Sequence, residues 1–235
     1  MKHAIRNRLL RFAFHLLYNQ LAFTYDLVSR LVSLGQWRNW QRTVLPFLDD
    51  IGSGVILELA HGTGALQVDL LRANCSTVAL DLSPSMGRIS QKRLSREGLS
   101  TDFLRADALA LPFANGSFAA VISTFPASFI SNKDCLVEIC RVLELGGRAI
   151  IVMAAGLEGQ GLRRAFIRFL YRITGQSTGM ASSVASKRAF EGYGLSVEPI
   201  DVECKGSVVQ LIMLRKPMPE VSNRDCNGLA IAAQA

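Results

Sequence analysis

A glycine-rich turn at residues 58–64 carries the clearest chemical meaning in this sequence. The stretch reads ELAHGTG, so Glu58 leads a turn that contains Gly62 and Gly64. Glycine permits positive φ and lets a backbone approach a ligand closely. Asp81 follows the next apolar run, and a carboxylate at that place in an α/β unit accepts hydrogen bonds from both hydroxyls of a ribose. The two features together indicate a cofactor that contains adenosine.

The residue types in the turn restrict which cofactor this is. A dinucleotide site has three glycines as G-x-G-x-x-G and holds a pyrophosphate at a helix N-terminus. Residues 60–66 read AHGTGAL and lack the third glycine. Glu58 would repel a pyrophosphate but suits a ligand that bears an ammonium group. The sequence also lacks G-x-x-x-x-G-K-[ST], so a phosphate loop of the NTPase type is not supported.

The elements that would position these residues alternate between short strands and helices. The predicted strands are Val55–Ala60, Thr77–Asp81, Thr101–Arg105, Phe118–Thr124, Arg148–Met153, Ser196–Cys204 and Ser207–Arg215. The predicted helices are Ala65–Arg72, one starting at Ser83–Pro84, Asp134–Leu143 and Ser183–Gly192. This alternation predicts a parallel, doubly wound α/β sheet. Lys205–Gly206 separates the last two strands and is typical of a hairpin.

Two basic, amphipathic segments fall outside that alternation. Basic and apolar residues at helical spacing precede the first acidic residue, Asp26, and residues 25–48 also have a helical pattern that ends near Pro46. An apolar stripe over Leu162–Ile173 has Arg164, Arg168 and Arg172 on another face. We therefore divide the chain into a helical lid or membrane-facing segment (1–48), a cofactor domain (49–216) with a helical insert (157–182), and a flexible tail (217–235).

Composition excludes several classes of protein. The chain has 235 residues, 49% hydrophobic and 19% charged, which suits one packed domain with an elaboration and not a disordered chain. No uncharged apolar run is long enough to cross a membrane. Five scattered cysteines predict a reducing compartment. With only three histidines in the sequence, a structural zinc site is not expected. The net charge of +7 suits nucleic acid, an anionic membrane, an acidic substrate, or solubility alone.

Motifs in four ordered places resemble those of the class I S-adenosylmethionine-dependent methyltransferases. They are the turn at 58–64, ALDLSPSM around Asp81, LRADALALPFANGSFAAVIS with Asp107, and EICRVLELGGRAIIV. The resemblance covers roughly residues 20–215, and a weaker one links TYDLVSRLVSLGQWRNWQR to the quinone-biosynthesis C-methyltransferases. The resemblance to the class I methyltransferases implies a Rossmann-like, seven-stranded α/β sheet that ends in an antiparallel hairpin. The N-terminal helices and the insert would then form a lid. Ala60, where the first motif glycine is common, and His61 within the loop depart from the pattern.

The resemblance also implies a role for individual residues. For the methionine part, Glu58 reaches the ammonium group and the loop of Ala60, Gly62 and Gly64 contacts the rest. Asp81 holds the ribose, Leu82 and Met86 flank the adenine, and Asp107 and Ala108 bind the adenine amino group. Thr124 and Phe125 lie near the methyl group. Structural readings compete: helix capping for Asp107, core packing for Met86. The implied cofactor is S-adenosylmethionine and the product S-adenosylhomocysteine.

Catalytic residues are not defined by the sequence. Methyl transfer from an activated donor needs alignment and exclusion of water more than acid–base groups. His61 suits a general base, although we favour a backbone hydrogen bond for it. Tyr25 and Asp26 are candidates to close over the cofactor, with Tyr25 facing the substrate.

The sequence therefore predicts a methyltransferase that acts on a small, apolar or lipid-like acceptor by in-line displacement. The chain is expected in the cytoplasm, with peripheral membrane contact through residues 1–25 and 160–175. Two alternatives stay open: an RNA methyltransferase or accessory module, and a protein that binds the cofactor but catalyses a reaction other than methylation. STFPAS stands where the adenine-N6 methyltransferases have N-P-P-[YF], which disfavours nucleic acid.

Overall fold

The structure is a computed structural model that describes residues 24–126, 128–157 and 188–218. Several sequence predictions lie outside these residues: the basic segment before Asp26 for the most part, the arginine-bearing stripe over 162–173, and the tail after 218. Of the helix predicted at Ser183–Gly192, the described part is helical at residues 188–190.

The elements follow the predicted alternation closely. The helices are α1 (Tyr25–Val32), α2 (Trp37–Gln41), a 3₁₀ helix (Arg42–Phe47), α3 (Ala65–Arg72), α4 (Pro84–Arg96), a second 3₁₀ helix (Ser128–Ser131) and α5 (Lys133–Val142). The strands are β1 (Val55–Leu59), β2 (Ser76–Leu80), β3 (Asp102–Leu104), β4 (Phe118–Thr124), β5 (Leu143–Leu157), β6 (Ser196–Glu203) and β7 (Ser207–Arg215). Ser83 caps α4 by accepting a hydrogen bond from the backbone N–H of Met86, and Pro84 follows it at the first helical position.

Seven strands form one sheet in the order β3-β2-β1-β4-β5-β7-β6. The first five pair in parallel, and β7 lies antiparallel between β5 and β6. The chain winds from β1 outward through β2 to β3, then crosses back to β4 on the other side of β1. This confirms the predicted Rossmann-like sheet with its C-terminal antiparallel hairpin.

Most predicted bounds are within one residue of the observed ones, and two elements differ by more than that. The sequence predicts β5 over Arg148–Met153, but the strand runs from Leu143 to Leu157. Its first residue, Leu143, pairs with Phe118 of β4, and β7 pairs with it from Arg148 to Leu157. Residues 25–48 do not form one helix. Leu34 and Gly35 both have positive φ, at 52° and 83°, and separate α1 from α2.

Side chains from alternate strand positions form one hydrophobic core on each face of the sheet. Along β1, Ile56 joins the core that contains Trp40 and Val44, whereas Leu57 joins the core on the opposite face, which contains α5. The segment 37–48 is therefore part of the packed domain. No helix among the described residues is long and apolar enough to cross a membrane.

The buried carboxylate of Asp69 on α3 pairs with two partly exposed arginines, one on α2 and one at the start of the 3₁₀ helix that follows it. The Asp69 carboxylate accepts hydrogen bonds from the guanidinium groups of Arg38 (2.8 and 3.1 Å) and Arg42 (2.6 and 2.9 Å). Burial alone would raise the pKa of the Asp69 carboxyl, but the hydrogen bonds from Arg42 and Arg38 outweigh it and hold that pKa below its usual value. α2 therefore has a fixed position over the edge of the sheet where β1 and β4 end.

Candidate functional site

The glycine-rich loop lies at the point where the winding of the sheet reverses. β1 and β4 are neighbours, and their chains continue in opposite directions across the sheet. In doubly wound folds, ligands bind outside the carboxyl ends of the strands at this point. Residues 60–64 leave β1 there and enter α3, with Ala60, Gly62 and Gly64 at positive φ of 55°, 56° and 74°.

Asp81 links the loop to the start of α4. Its Oδ2 accepts a hydrogen bond from the backbone N–H of Gly62 at 2.9 Å, and its Oδ1 accepts one from the N–H of Ser83 at 2.8 Å. An ionised carboxylate offers about four lone-pair sites, so each oxygen keeps capacity for one further donor. This geometry matches a pair of ribose hydroxyls.

Glu58 lies under the loop as a buried acid. It is 1% exposed, and its Oε2 accepts a hydrogen bond from Nε2 of Gln67 at 2.7 Å. The hydroxyl of Thr77 in turn donates to Oε1 of Gln67 at 2.8 Å, which fixes the direction of the amide. Burial raises the pKa of Glu58 to about 8, and the nearby Asp81 carboxylate adds to the rise while the Gln67 hydrogen bond opposes it. A ligand ammonium group beside Glu58 would favour the ionised form.

This raised pKa predicts that stability falls as pH rises. Between its usual pKa of 4.5 and about 8, Glu58 holds its proton in the folded state and releases it in the unfolded state. The free energy of unfolding is therefore expected to decrease from pH 5.5 to pH 8, by roughly 3 kcal/mol from this group. Urea unfolding at both pH values measures the change.

Glu58→Gln is the matched control, because an amide keeps an acceptor for Gln67 without a titrating proton. The variant is expected to lose the Glu58 contribution to the pH dependence. An identical pH dependence in the two proteins would contradict the assignment of a raised pKa to Glu58.

His61 lies in the loop but not on its surface. It is 4% exposed, its Nδ1 is 2.9 Å from the carbonyl oxygen of Gly62, and its ring meets Phe103 edge-on at 5.2 Å. Burial lowers the pKa of His61, although Asp81 opposes the shift. A neutral imidazole that donates to Gly62 agrees with the structural interpretation, and a general-base role stays a prediction.

The predicted adenine contacts occupy different environments. Leu82 is 61% exposed immediately after Asp81, where an apolar ring can pack on it. Met86 is fully buried, which favours core packing over contact with adenine. Ala108 is buried, and the exposed Asp107 uses Oδ1 to accept a hydrogen bond from the backbone N–H of Leu109 at 3.0 Å. That bond agrees with a local capping role for Asp107 and leaves its other oxygen for a ligand.

Arg141 holds the loop that presents Asp107, a contact that sequence reasoning missed. Its guanidinium donates to the carbonyl oxygens of Phe113 (2.6 Å) and Leu111 (2.9 Å). Glu138 pairs with Arg141 and also accepts a hydrogen bond from the N–H of Leu111 at 2.6 Å. The only sequence signal was the i, i+3 spacing of an acid and an arginine on α5.

Thr124 and Phe125 lie at the carboxyl end of β4, against α2. Oγ1 of Thr124 accepts a hydrogen bond from Nε2 of Gln41 at 3.1 Å. Phe125 has φ of +50°, unusual for a residue other than glycine, and its ring stacks on Trp37 with centroids 4.3 Å apart. Tyr25 meets Trp37 edge-on at 6.3 Å. An aromatic cluster thus borders the place where the methyl group is expected.

Hydrogen bonds and an ion pair connect α1 to the glycine-rich loop. The hydroxyl of Thr63 donates to Oδ1 of Asp26 at 2.7 Å, and Arg93 on α4 pairs with the same carboxylate. Nη1 of Arg93 also donates to Thr63 at 3.2 Å. Asp26 therefore contacts the glycine-rich loop, which its predicted role in closing over the cofactor requires. The sequence did not indicate that Thr63 and Arg93 would be its partners.

The residues at the loop fit S-adenosylmethionine. A Cβ at Gly62 would have no heavy atom within 4 Å, so the loop backbone is open on that side. The buried acid Glu58, the two remaining acceptor positions of Asp81 and the exposed Leu82 suit an ammonium group, a ribose and an adenine respectively. The described residues contain no cluster of three His, Cys, Asp or Glu side chains that could hold a metal ion.

The fold and this site define the class I methyltransferase architecture, and solved structures agree on the fold. Geranyl diphosphate C-methyltransferase from Streptomyces coelicolor A3(2), solved with Mg²⁺, geranyl diphosphate and S-adenosyl-L-homocysteine, is 13% identical with a TM-score of 0.57, over 75% of this chain and 78% of that one. The [4+2]-cyclase SpnF is 15% identical with a TM-score of 0.57, over 77% of this chain and 81% of that one.

Sequence comparisons identify the family. The profile of the ubiE/COQ5 methyltransferase family matches residues 9–190. A demethylmenaquinone methyltransferase from Thermus thermophilus is 36% identical over 58% of this chain and 63% of its own length. A ubiquinone/menaquinone biosynthesis C-methyltransferase from Dinoroseobacter shibae is 30% identical over 66% of this chain and 64% of its own length. This chain belongs to the ubiE/COQ5 methyltransferase family, which agrees with S-adenosylmethionine as its cofactor, and spans a little under two thirds of the length of these relatives.

Proposed function

We propose that this protein transfers a methyl group from S-adenosylmethionine to a small, lipid-like acceptor of the quinone class. The observation that carries the proposal is the arrangement at the reversal point of the sheet. There, Asp81 spans Gly62 and Ser83 beside an open loop backbone, with Glu58 buried beneath. Membership of the ubiE/COQ5 family supports the reaction class.

The chemistry needs one bond to break and one to form. When bound, S-adenosylmethionine would supply a methyl group on a positively charged sulfur, and the C–S electron pair would stay on sulfur as S-adenosylhomocysteine. The acceptor carbon would bond the methyl group with its own electron pair and release its proton to bulk water. The chain's own residues hold and shield this geometry. Glu58, Gly62 and Asp81 fix the donor, while Trp37 and Phe125 exclude water from the end of β4.

Similar proteins and the aromatic cluster at the end of β4 both support an acceptor of the quinone class. The similar proteins are named for demethylmenaquinone and for ubiquinone/menaquinone biosynthesis. A flat, apolar ring suits the surface formed by Trp37 and Phe125, which are stacked and only half-buried.

The direct test is a product assay with a reduced naphthoquinone acceptor. Wild-type protein is expected to form S-adenosylhomocysteine and methylated naphthoquinol in equal amounts, measured by mass spectrometry. Asp81→Ala serves as the control that lacks the ribose ligand. Cofactor binding without either product would overturn the proposal and favour a reaction other than methylation, a use of this fold that the cyclase SpnF illustrates.

We further propose that the protein contacts an anionic membrane surface when it meets a lipid-like acceptor. α1 exposes Leu27 and Leu31, at 60% and 61%, one helical turn apart. The basic residues predicted for this contact, within 1–25 and 160–175, lie mainly outside the described residues. Co-sedimentation with phosphatidylglycerol vesicles at low salt is expected for wild type and reduced for the double variant Leu27→Ser and Leu31→Ser. Absence of wild-type binding would overturn this proposal.

A further inference from the structure

We infer that Gln41 positions the acceptor by accepting a hydrogen bond from a hydroxyl group on its aromatic ring. This inference rests on the proposed function, and it assigns a substrate contact to a residue outside the cofactor motifs. Gln41 is the last residue of α2 and lies 83 positions from Thr124, to which its amide nitrogen donates.

The amide of Gln41 contains a buried oxygen atom without a hydrogen-bond partner among the described residues. Gln41 is 8% exposed, and this atom is its Oε1. A buried polar atom without a partner is destabilising, so native structures rarely keep one without a reason. The indole N–H of the neighbouring Trp40 is also buried and unpaired within the described part of the chain. The unpaired amide oxygen of Gln41 is therefore a candidate contact for a group outside the described residues.

The location of this atom makes the missing partner a substrate group. Thr124 fixes the amide of Gln41 at the carboxyl end of β4, beside the reversal point of the sheet where the fold places the methyl donor. The Asp69 cluster holds α2 in place through Arg38 and Arg42. The amide oxygen is therefore presented by a rigid support instead of a free loop.

The neighbouring rings define the shape of the partner. Trp37 and Phe125 stack at 4.3 Å, and Trp40 lies 6.4 Å from Trp37 and 6.2 Å from Phe125 between ring centroids. Phe125 keeps a left-handed backbone at the end of β4, a form of local strain that concentrates at functional sites. An aromatic surface with one hydrogen-bond acceptor suits a planar ring that carries a hydroxyl group, such as a phenol or hydroquinone.

The test compares two probes that differ in hydrogen-bond donation: 2-naphthol donates through its hydroxyl, and 2-methoxynaphthalene cannot. Each is titrated calorimetrically into wild-type protein saturated with S-adenosylhomocysteine. Tryptophan emission gives a local readout, because the chain has two tryptophans and both lie in this cluster. Wild type is expected to prefer 2-naphthol by roughly tenfold, the effect of one hydrogen bond.

Gln41→Met removes the amide oxygen with little change in volume and is expected to reduce the preference to near one. Gln41→Glu keeps an acceptor oxygen and is expected to retain a preference. Gln36→Met, at the other end of α2, is the matched control and should behave as wild type. A tenfold preference that persists in Gln41→Met, or its absence in wild type, would overturn the inference.

The methyl-transfer assay separates this inference from the proposed function. Gln41→Met is expected to raise the KM for the naphthoquinol acceptor while leaving the affinity for S-adenosylhomocysteine unchanged. If wild type shows the probe preference but makes no methylated product, the proposed reaction fails while the Gln41 contact stands. If wild type methylates and Gln41→Met has unchanged KM and probe preference, the contact fails while the reaction stands.

Discussion

Asp81→Ala is expected to weaken the binding of S-adenosylmethionine by at least about 100-fold. Charge-assisted hydrogen bonds from two ribose hydroxyls contribute roughly 1.5–3 kcal/mol each, and alanine removes both. The same carboxylate holds the N–H groups of Gly62 and Ser83, so its loss also loosens the loop. Calorimetric titration of S-adenosylmethionine and S-adenosylhomocysteine measures the effect.

Asp81→Asn is the matched variant because it keeps the shape but has one acceptor oxygen. It is expected to lose about tenfold in affinity, between wild type and alanine. Circular dichroism and thermal unfolding would show that both variants still fold, since α4 keeps its own cap at Ser83. Binding by Asp81→Ala within threefold of wild type would remove Asp81 from the cofactor site.

Gly64→Ala is expected to destabilise the fold by on the order of 3 kcal/mol, a drop in Tm of roughly 10 °C for a domain of this size. A Cβ at this position would lie 2.0 Å from Oγ of Ser90 and 3.2 Å from its Cα, so α4 must shift. The φ of +74° adds strain for any residue with a side chain. Thermal and urea unfolding measure both effects.

Gly62→Ala is the matched comparison within the same loop. Its φ of +56° costs about 1 kcal/mol, but its Cβ meets no heavy atom within 4 Å. The added methyl group would occupy the open side of the loop, so Gly62→Ala should fold nearly as well as wild type but bind S-adenosylmethionine at least tenfold more weakly. Ser90→Gly should partly restore the stability of Gly64→Ala. Equal stabilities of the two alanine variants would contradict this separation of roles.

The sequence alone determined the frame of this protein. Local patterns placed α3 and β4 at their observed bounds, the glycine loop at the end of β1 and the hairpin at Lys205–Gly206. Apolar periodicity and turn residues act over a few positions, so they can be read without a structure. The ordered motifs also indicated the family, and the sheet order confirms the fold that they imply.

Long-range contacts, by contrast, were decided only by tertiary structure. β5 extends to Leu157 because β7 pairs with it. The sequence left core packing and an adenine contact both open for Met86, and the structure buries this side chain. The pairing of Gln41 with Thr124 joins two segments that no local pattern relates. A sequence determines which side chains are available, but burial and pairing between distant elements depend on how the layers pack. In this protein that packing brings Gln41 against Thr124 at the carboxyl end of β4.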